Sequence, residues 1–403
     1  MDEFINADEY RAEVSGLIQE ICSLKEQIAE KDKQLNTKNK ELLKNVTADK
    51  NNPFDNPTDY KDYCGDYSEI QPRLGEPGYK IPVEINNVEF KNLKRQYSIG
   101  GWCMMFQFVI SVVLSLCLTN GIKFLITSIH GGDTGVYDYM YSSSILIAVN
   151  MIVFLICNVL FTFIGLKWAG FRGVSMIKTR DFSFGKGLQY CIIAISLWLI
   201  SVYAGIFVET ILNKFGMSGT VDQEGLGETP IALAVGYIYS CIIAPITEEM
   251  LYRGMLLKVF SRASQRFGIF TTAFFFGIAH GNIAQFILAF VLGIFLSQIT
   301  LKHNSIVPAI VVHIFVNTMS TVIGIISDIN ESAASIAMLV VVLLAFLGII
   351  MLIIFRSEGN RFPASTPPQH RRGRAVAMSS IPFAMAAGIQ VVYMIYTLAL
   401  SRY

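Results

Sequence analysis

The chain has 403 residues, of which 53% are hydrophobic and only 16% charged, with a formal net charge of +1. Soluble domains average about a quarter charged residues, so this shortfall excludes an ordinary soluble protein and points to helices dissolved in lipid. The near-neutral balance also excludes a nucleic-acid partner, which requires a concentrated basic face.

Residues 1–49 are polar and charged, with one clear periodicity. Val14, Leu17, Ile21, Leu24, Ile28, Leu35 and Leu42 follow alternating three- and four-residue steps, with Lys31 and Lys38 in two of the expected seam positions. That pattern predicts a helix in a short coiled coil, with self-association or a recruited partner through residues 14–42; the alternative is one amphipathic surface helix. Residues 50–101 read as a polar linker, because Pro53, Pro57, Pro72, Pro77 and Pro82 recur among Asp, Asn and Tyr.

Residues 102–403 form the predicted membrane domain, an all-α bundle of eight or nine spans. Apolar runs recur at roughly 102–122, 145–166, 188–212, 230–257, 267–281, 283–301, 305–327, 334–355 and 376–400. Most reach the ~20 residues a spanning helix needs, and the run 267–281 is the short one. No cleavable signal peptide is expected, since the first long run begins near Trp102. Seven cysteines show no CxxC or paired spacing and read as small core residues.

Basic residues set the expected orientation. Lys91, Lys94 and Arg95, then Lys167 to Lys186, Lys258 to Arg266, Lys302, and Arg356 to Arg374 fall on one side if all nine segments cross. The loops between them carry Asp133 and Asp138, then Asp222, Glu224 and Glu228, then Asp328 and Glu331. The N-terminus is then cytoplasmic, and the membrane is the plasma membrane in a prokaryote.

Ionisable groups inside the apolar runs are few: Glu248, Glu249, Arg253, His280 and His313, with Glu209 near a helix end. A charge at the bilayer centre costs about 2.5–3.5 kcal/mol or more, so each needs a reason. Glu249 and Arg253 are four residues apart and can pair on one helix face, which leaves Glu248, His280 and His313. At ~1.5 Å per residue from Lys258, Arg266 and Lys302, these three lie about 15, 21 and 16 Å deep, in or at the edge of the middle third of a ~30 Å core. Groups at one depth can share a water-filled cavity. Pro245 loosens the helix just before Glu248, and His313 shares a face with Asn317. His130, His303 and His370 fall in predicted loops and read as solvated.

The stretch from Ala244 to Leu256 contains Glu248-Glu249-Met250-Leu251-Tyr252-Arg253, an EExxxR element. Phe276 to His280 supplies FxxxH, and His313 to Asn317 supplies HxxxN. In this order the three elements resemble the CPBP family of CAAX prenyl endopeptidases, bacteriocin-processing and self-immunity proteins and Abi proteins. The resemblance covers roughly 185–325 and leaves 1–100 as an accessory extension. It implies an intramembrane endopeptidase acting on a membrane-associated protein or peptide. By position, Glu248 and His280 would activate water, His313 and Asn317 would stabilise the oxyanion, and Glu249 with Arg253 would support the site. The resemblance favours a mechanism without a cofactor, while Glu248, His280 and His313 are also a plausible Zn²⁺ set. Two rival readings are a non-catalytic immunity or scaffold protein of this fold and a transporter, although no internal repeat supports the latter.

Overall fold

A computed structural model describes residues 7–45, 87–132, 142–171, 176–177, 182–219, 230–261, 265–357 and 375–401. The regular elements among them are helices: α1 (Ala7–Asn45), α2 (Asn87–Ile129), α3 (Ser142–Ala169), α4 (Phe184–Asn213), the composite α5 (230–260), α6 (Gln265–Ile278), α7 (Ile283–His303), α8 (Val307–Ile329), α9 (Glu331–Ser357) and α10 (Ile381–Leu400). Each apolar run predicted above overlaps one of these helices.

Seven of them, α2, α3, α4, α7, α8, α9 and α10, are long and apolar enough to cross a membrane. The nine-segment expectation meets two shorter cases. Helix α5 is broken into five pieces, and α6 has 14 residues, about 21 Å at ~1.5 Å per residue against a ~30 Å core. Large apolar side chains also line the outside: Phe124, Phe207, Leu343, Phe346 and Ile353 are each 61–75% exposed. Such a surface is stable against lipid and not against water. The chain is an integral, multi-pass membrane protein. Of the charges used for orientation, Arg172, Lys178, Arg180, Arg262, Arg361, Arg371, Arg372, Arg374, Asp133, Asp138, Asp222, Glu224 and Glu228 lie outside the described residues. Lys258, read above as a loop residue, is instead buried in α5 with Nζ 5.6 Å from the centre of the Phe171 ring.

Helix α2 begins at Asn87, inside the stretch read as linker. Continuous hydrophobicity misses these first turns because they alternate: Lys94 and Arg95 stand beside Tyr97, which is fully buried, and Gly100 and Gly101. Aromatic packing explains the burial, with the Tyr97 ring 5.6–6.2 Å from those of Phe260, Phe267 and Phe383.

Two large cores and a small one around Leu257, Ile269 and Leu301 hold the bundle. One large core joins α2, α3, α5, α6 and α10 around Met104, Cys157, Met255, Phe260 and Phe275. The other large core joins α4, α7, α8 and α9 around Trp198, Leu296, Val312 and Val341. Small residues set the closest approaches, as membrane helices require without a hydrophobic force between them. A Cβ on Gly101 would overlap the backbone of Pro382 and Phe383, and one on Gly348 would overlap the Ile192 carbonyl and Ser196 Oγ. Because backbone cannot yield as a side chain does, Gly101→Ala and Gly348→Ala are each expected to destabilise by about 1–3 kcal/mol. Thermal unfolding of the full chain in detergent should show a lowered midpoint for both. The same change at Gly121, which meets nothing within 4 Å, should leave the midpoint within error.

Two expectations need correction. His303 is not solvated. It is the last residue of α7, 1% exposed, with Nε2 2.8 Å from Tyr190 Oη and its ring against Phe182. Asn304 ends the helix in the left-handed region with φ 50, which turns the chain only after His303 has packed inward. Among the cysteines, Cys103, Cys157, Cys191 and Cys241 are buried as expected, whereas Cys117 on α2 and Cys22 on α1 are exposed and Cys64 lies outside the described residues. Cys117 occupies the apolar outer surface of α2, where a thiol is tolerated as a small hydrophobe.

Candidate active site

Helix α5 departs twice from the usual four-residue hydrogen-bond step. Ala244 N donates to Tyr239 O and Leu257 N to Tyr252 O, each five residues back. Such wide turns mark strain tolerated at functional sites. Pro245 accounts for the first. Once Ala244 is committed to Tyr239, the next donor in register for the Ser240 carbonyl would be residue 245, and proline has none. The orphaned oxygen is satisfied from outside the helix: Asn317 Nδ2 on α8 donates to Ser240 O at 2.9 Å. One turn further along α8, Thr321 Oγ1 meets Cys241 Sγ at 3.4 Å. The six residues Ala244–Glu249 between the two wide turns carry both glutamates.

Glu249 is fully buried and serves two cations or donors through one oxygen. Its Oε1 accepts from Arg253 Nη1 at 2.8 Å and from His313 Nδ1 at 2.9 Å. Arg253 is likewise fully buried. Its Nη2 donates to Gly293 O at 3.3 Å, and its guanidinium carbon lies 4.3 Å from the centre of the Phe276 ring. Glycine keeps that reach uncrowded, since a Cβ on Gly293 would stand 3.2 Å from both Ala273 Cα and Arg253 Nη2. The arrangement knits α5, α6, α7 and α8 at one point.

Glu248 faces the other way. Its side chain is 25% exposed, the His313 side chain is 4% exposed, and Oε2 lies 3.8 Å from His313 Nε2. With Nδ1 held by Glu249, Nε2 is the corner of the His313 ring that faces Glu248. His280 shows the same division: Nδ1 donates to Phe276 O at 2.8 Å, leaving Nε2 free as an acceptor. Phe276 stands between the two imidazoles, edge-on to His280 at 5.1 Å and to His313 at 5.6 Å.

His280 does not lie within a helix, as the apolar run implied. It sits two residues past the end of α6, where Gly281 adopts φ 72 and turns the chain. Asn282 then caps α7, its Oδ1 accepting from Gln285 N at 2.8 Å. This turn is held from α10: Thr397 Oγ1 donates to Gly281 O, and a Cβ on Gly281 would stand 2.8 Å from the Tyr393 ring. Glu209, noted above for its position near a helix end, belongs to the same clasp. Its carboxylate accepts from Ser218 Oγ at 2.9 Å and Gly219 N at 2.6 Å, while Gly219 O accepts from Ala284 N at 3.3 Å.

A buried polar chain behind the glutamates escaped the sequence reading. Gln107 on α2 donates to Asn158 Oδ1 on α3 at 3.0 Å, and Asn158 Nδ2 to Thr247 Oγ1 at 3.4 Å, one residue before Glu248. All three are 5–6% exposed. The signal was an uncharged amide in each of two apolar runs, which lipid penalises as it penalises charge, though less. Asn317 adds a further reading to the one it carried: it closes the wide turn that positions the glutamates. Asn317→Ala is therefore expected to lose about 1–3 kcal/mol of stability, the usual effect of an orphaned acceptor. Urea or thermal unfolding checks this, and an unchanged midpoint would show that the turn closes without it.

Among the described residues, no three His, Cys, Asp or Glu side chains gather in an arrangement that could hold a metal ion. Glu248, His280 and His313 thus do not fit a Zn²⁺ centre as placed.

Residues 230–319 match the family model described as Type II CAAX prenyl endopeptidase, Rce1-like. This is the family expected from the three motifs, and the match contains every candidate site residue from Glu248 to Asn317. No curated protein and no solved structure matches the chain.

Proposed function

We propose that the chain is an intramembrane endopeptidase of the CAAX type, hydrolysing a peptide bond in a membrane-associated protein or peptide. The observation that carries the reading is the division of labour between adjacent glutamates. Glu249 is sealed against Arg253 and His313, while Glu248 keeps a partly exposed carboxylate that faces the other imidazole nitrogen, His313 Nε2. A purely structural cluster has no use for that asymmetry.

The chemistry then runs through groups of this chain. Water donates one hydrogen bond to His280 Nε2 and its proton to Glu248 as its oxygen adds to the scissile carbonyl carbon. His313 in its imidazolium form, backed by the Glu249 carboxylate, presents Nε2–H to the developing oxyanion, and the second amide hydrogen of Asn317 is the other candidate donor. As the tetrahedral intermediate collapses, the C–N bond breaks and Glu248 returns the proton to the departing nitrogen. The products are a carboxylate and an amine, with no other reactant consumed. Ring orientation costs nothing at the moment of reaction, since both Nδ1 atoms are already bound.

The test uses purified full-length protein in lipid vesicles with peptides that end in a prenylated CAAX sequence and the same peptides unprenylated. Mass spectrometry should find a new C-terminus in the prenylated series that is absent with Glu248→Ala protein. Cleavage that persists with Glu248→Ala overturns the assignment of the base. Cleavage of the unprenylated series at an equal rate overturns the substrate class.

A further inference from the structure

We propose that α1 pairs with α1 of a second copy of this chain, as a parallel two-stranded coiled coil over residues 14–28. Pairing through α1 involves none of the residues of the candidate active site. Helix α1 is continuous over 39 residues. In the single chain its seam faces outwards: Leu17, Ile21, Leu24 and Ile28 are 50–59% exposed, and Ile18 beside them is 55% exposed. A polar helix gains most of its stability by burying such a stripe against a partner.

The residues along the stripe identify that partner. Val14, Ile21 and Ile28 occupy the first core position of successive heptads, and Leu17 and Leu24 the fourth. β-Branched residues at the first position with leucine at the fourth select two parallel strands over three or four. Flanking charge agrees. In a parallel pair Glu20 stands beside Lys25 of the other helix, and the contact occurs twice by symmetry. An antiparallel pair with Ile21 facing Leu24 would instead set Glu20 near Gln27 and Lys25 near Ile18, with no opposite charges together. A lipid surface is a poorer occupant, because membrane-lying helices carry basic flanks while this stretch has Glu13, Glu20 and Glu26 against Lys25. Lys31 takes the next core position and ends the seam, which shortens the 14–42 span suggested by periodicity.

The experiment uses the full chain in detergent with Cys22, Cys64 and Cys117 changed to serine. Under mild oxidation Leu24→Cys protein should convert to a covalent dimer, whereas Gln19→Cys protein, altered on the outer face of the helix, should stay monomeric. Glu20→Lys should lower the Leu24→Cys yield, and adding Lys25→Glu should restore it. Mixed Val14→Cys and Ile28→Cys chains should each link only to their own kind. Three outcomes overturn the proposal: equal linking at positions 19 and 24; a Val14→Cys to Ile28→Cys product, which requires antiparallel strands; or monomeric protein whose Leu24→Cys thiol is shielded by added lipid vesicles.

Discussion

Glu248→Gln and His280→Ala are each expected to lower the cleavage rate by about 10²–10⁴-fold, the usual contribution of a positioned proton-transfer group. Stability should barely change. The Glu248 carboxylate is partly exposed, and among the described residues its one ion-pair contact is the 3.8 Å approach to His313. His280 is half-buried in a turn whose other ties run through Gly281 and Asn282. Activity should therefore fall while the thermal midpoint holds, a separation that no packing defect produces. The measurement is kcat/KM on a cleavable CAAX-type peptide beside an unfolding curve for the same preparation. A midpoint that falls in step with activity would return Glu248 to a structural role, and near-wild-type turnover would remove it from the reaction.

Much of the bundle was legible because a bilayer imposes one strong rule, and each apolar run found its helix. The motif residues were legible for the same reason inverted: Glu248, Glu249, Arg253 and His313 stood out as ionisable groups in apolar runs. Hydrophobicity alone could not see a helix that begins in polar sequence, so the first turns of α2 were missed. Nor could it see that α6 stops before His280, which depends on the positive φ of Gly281. His303 looked like a loop residue because it precedes a break, yet the break follows a fully packed turn. The bond from Asn317 to Ser240 was hidden most deeply. Pro245 announced that a donor was missing, but which carbonyl lost it depends on the five-residue step at Ala244, and who replaced it depends on α8 lying alongside.

Arg253→Met is expected to destabilise the protein by about 3–5 kcal/mol, the penalty for stripping one partner from a buried ion pair. Both Arg253 and Glu249 are fully buried, so the remaining carboxylate would have no water to turn to. His313 would be its last donor. The revealing comparison is with Glu249→Leu/Arg253→Met, which removes both charges and leaves apolar side chains in their place. Stability should then return most of the way to wild type, because apolar replacements of a buried pair are often neutral or better. Activity should not return, since His313 loses the carboxylate that holds Nδ1 and aims Nε2 at the site. Unfolding midpoints and kcat for the three proteins decide between two accounts of the EExxxR element. If the double variant regains both stability and turnover, the pair is a fold element alone; recovered stability without turnover makes Glu249 the residue that positions His313 for catalysis.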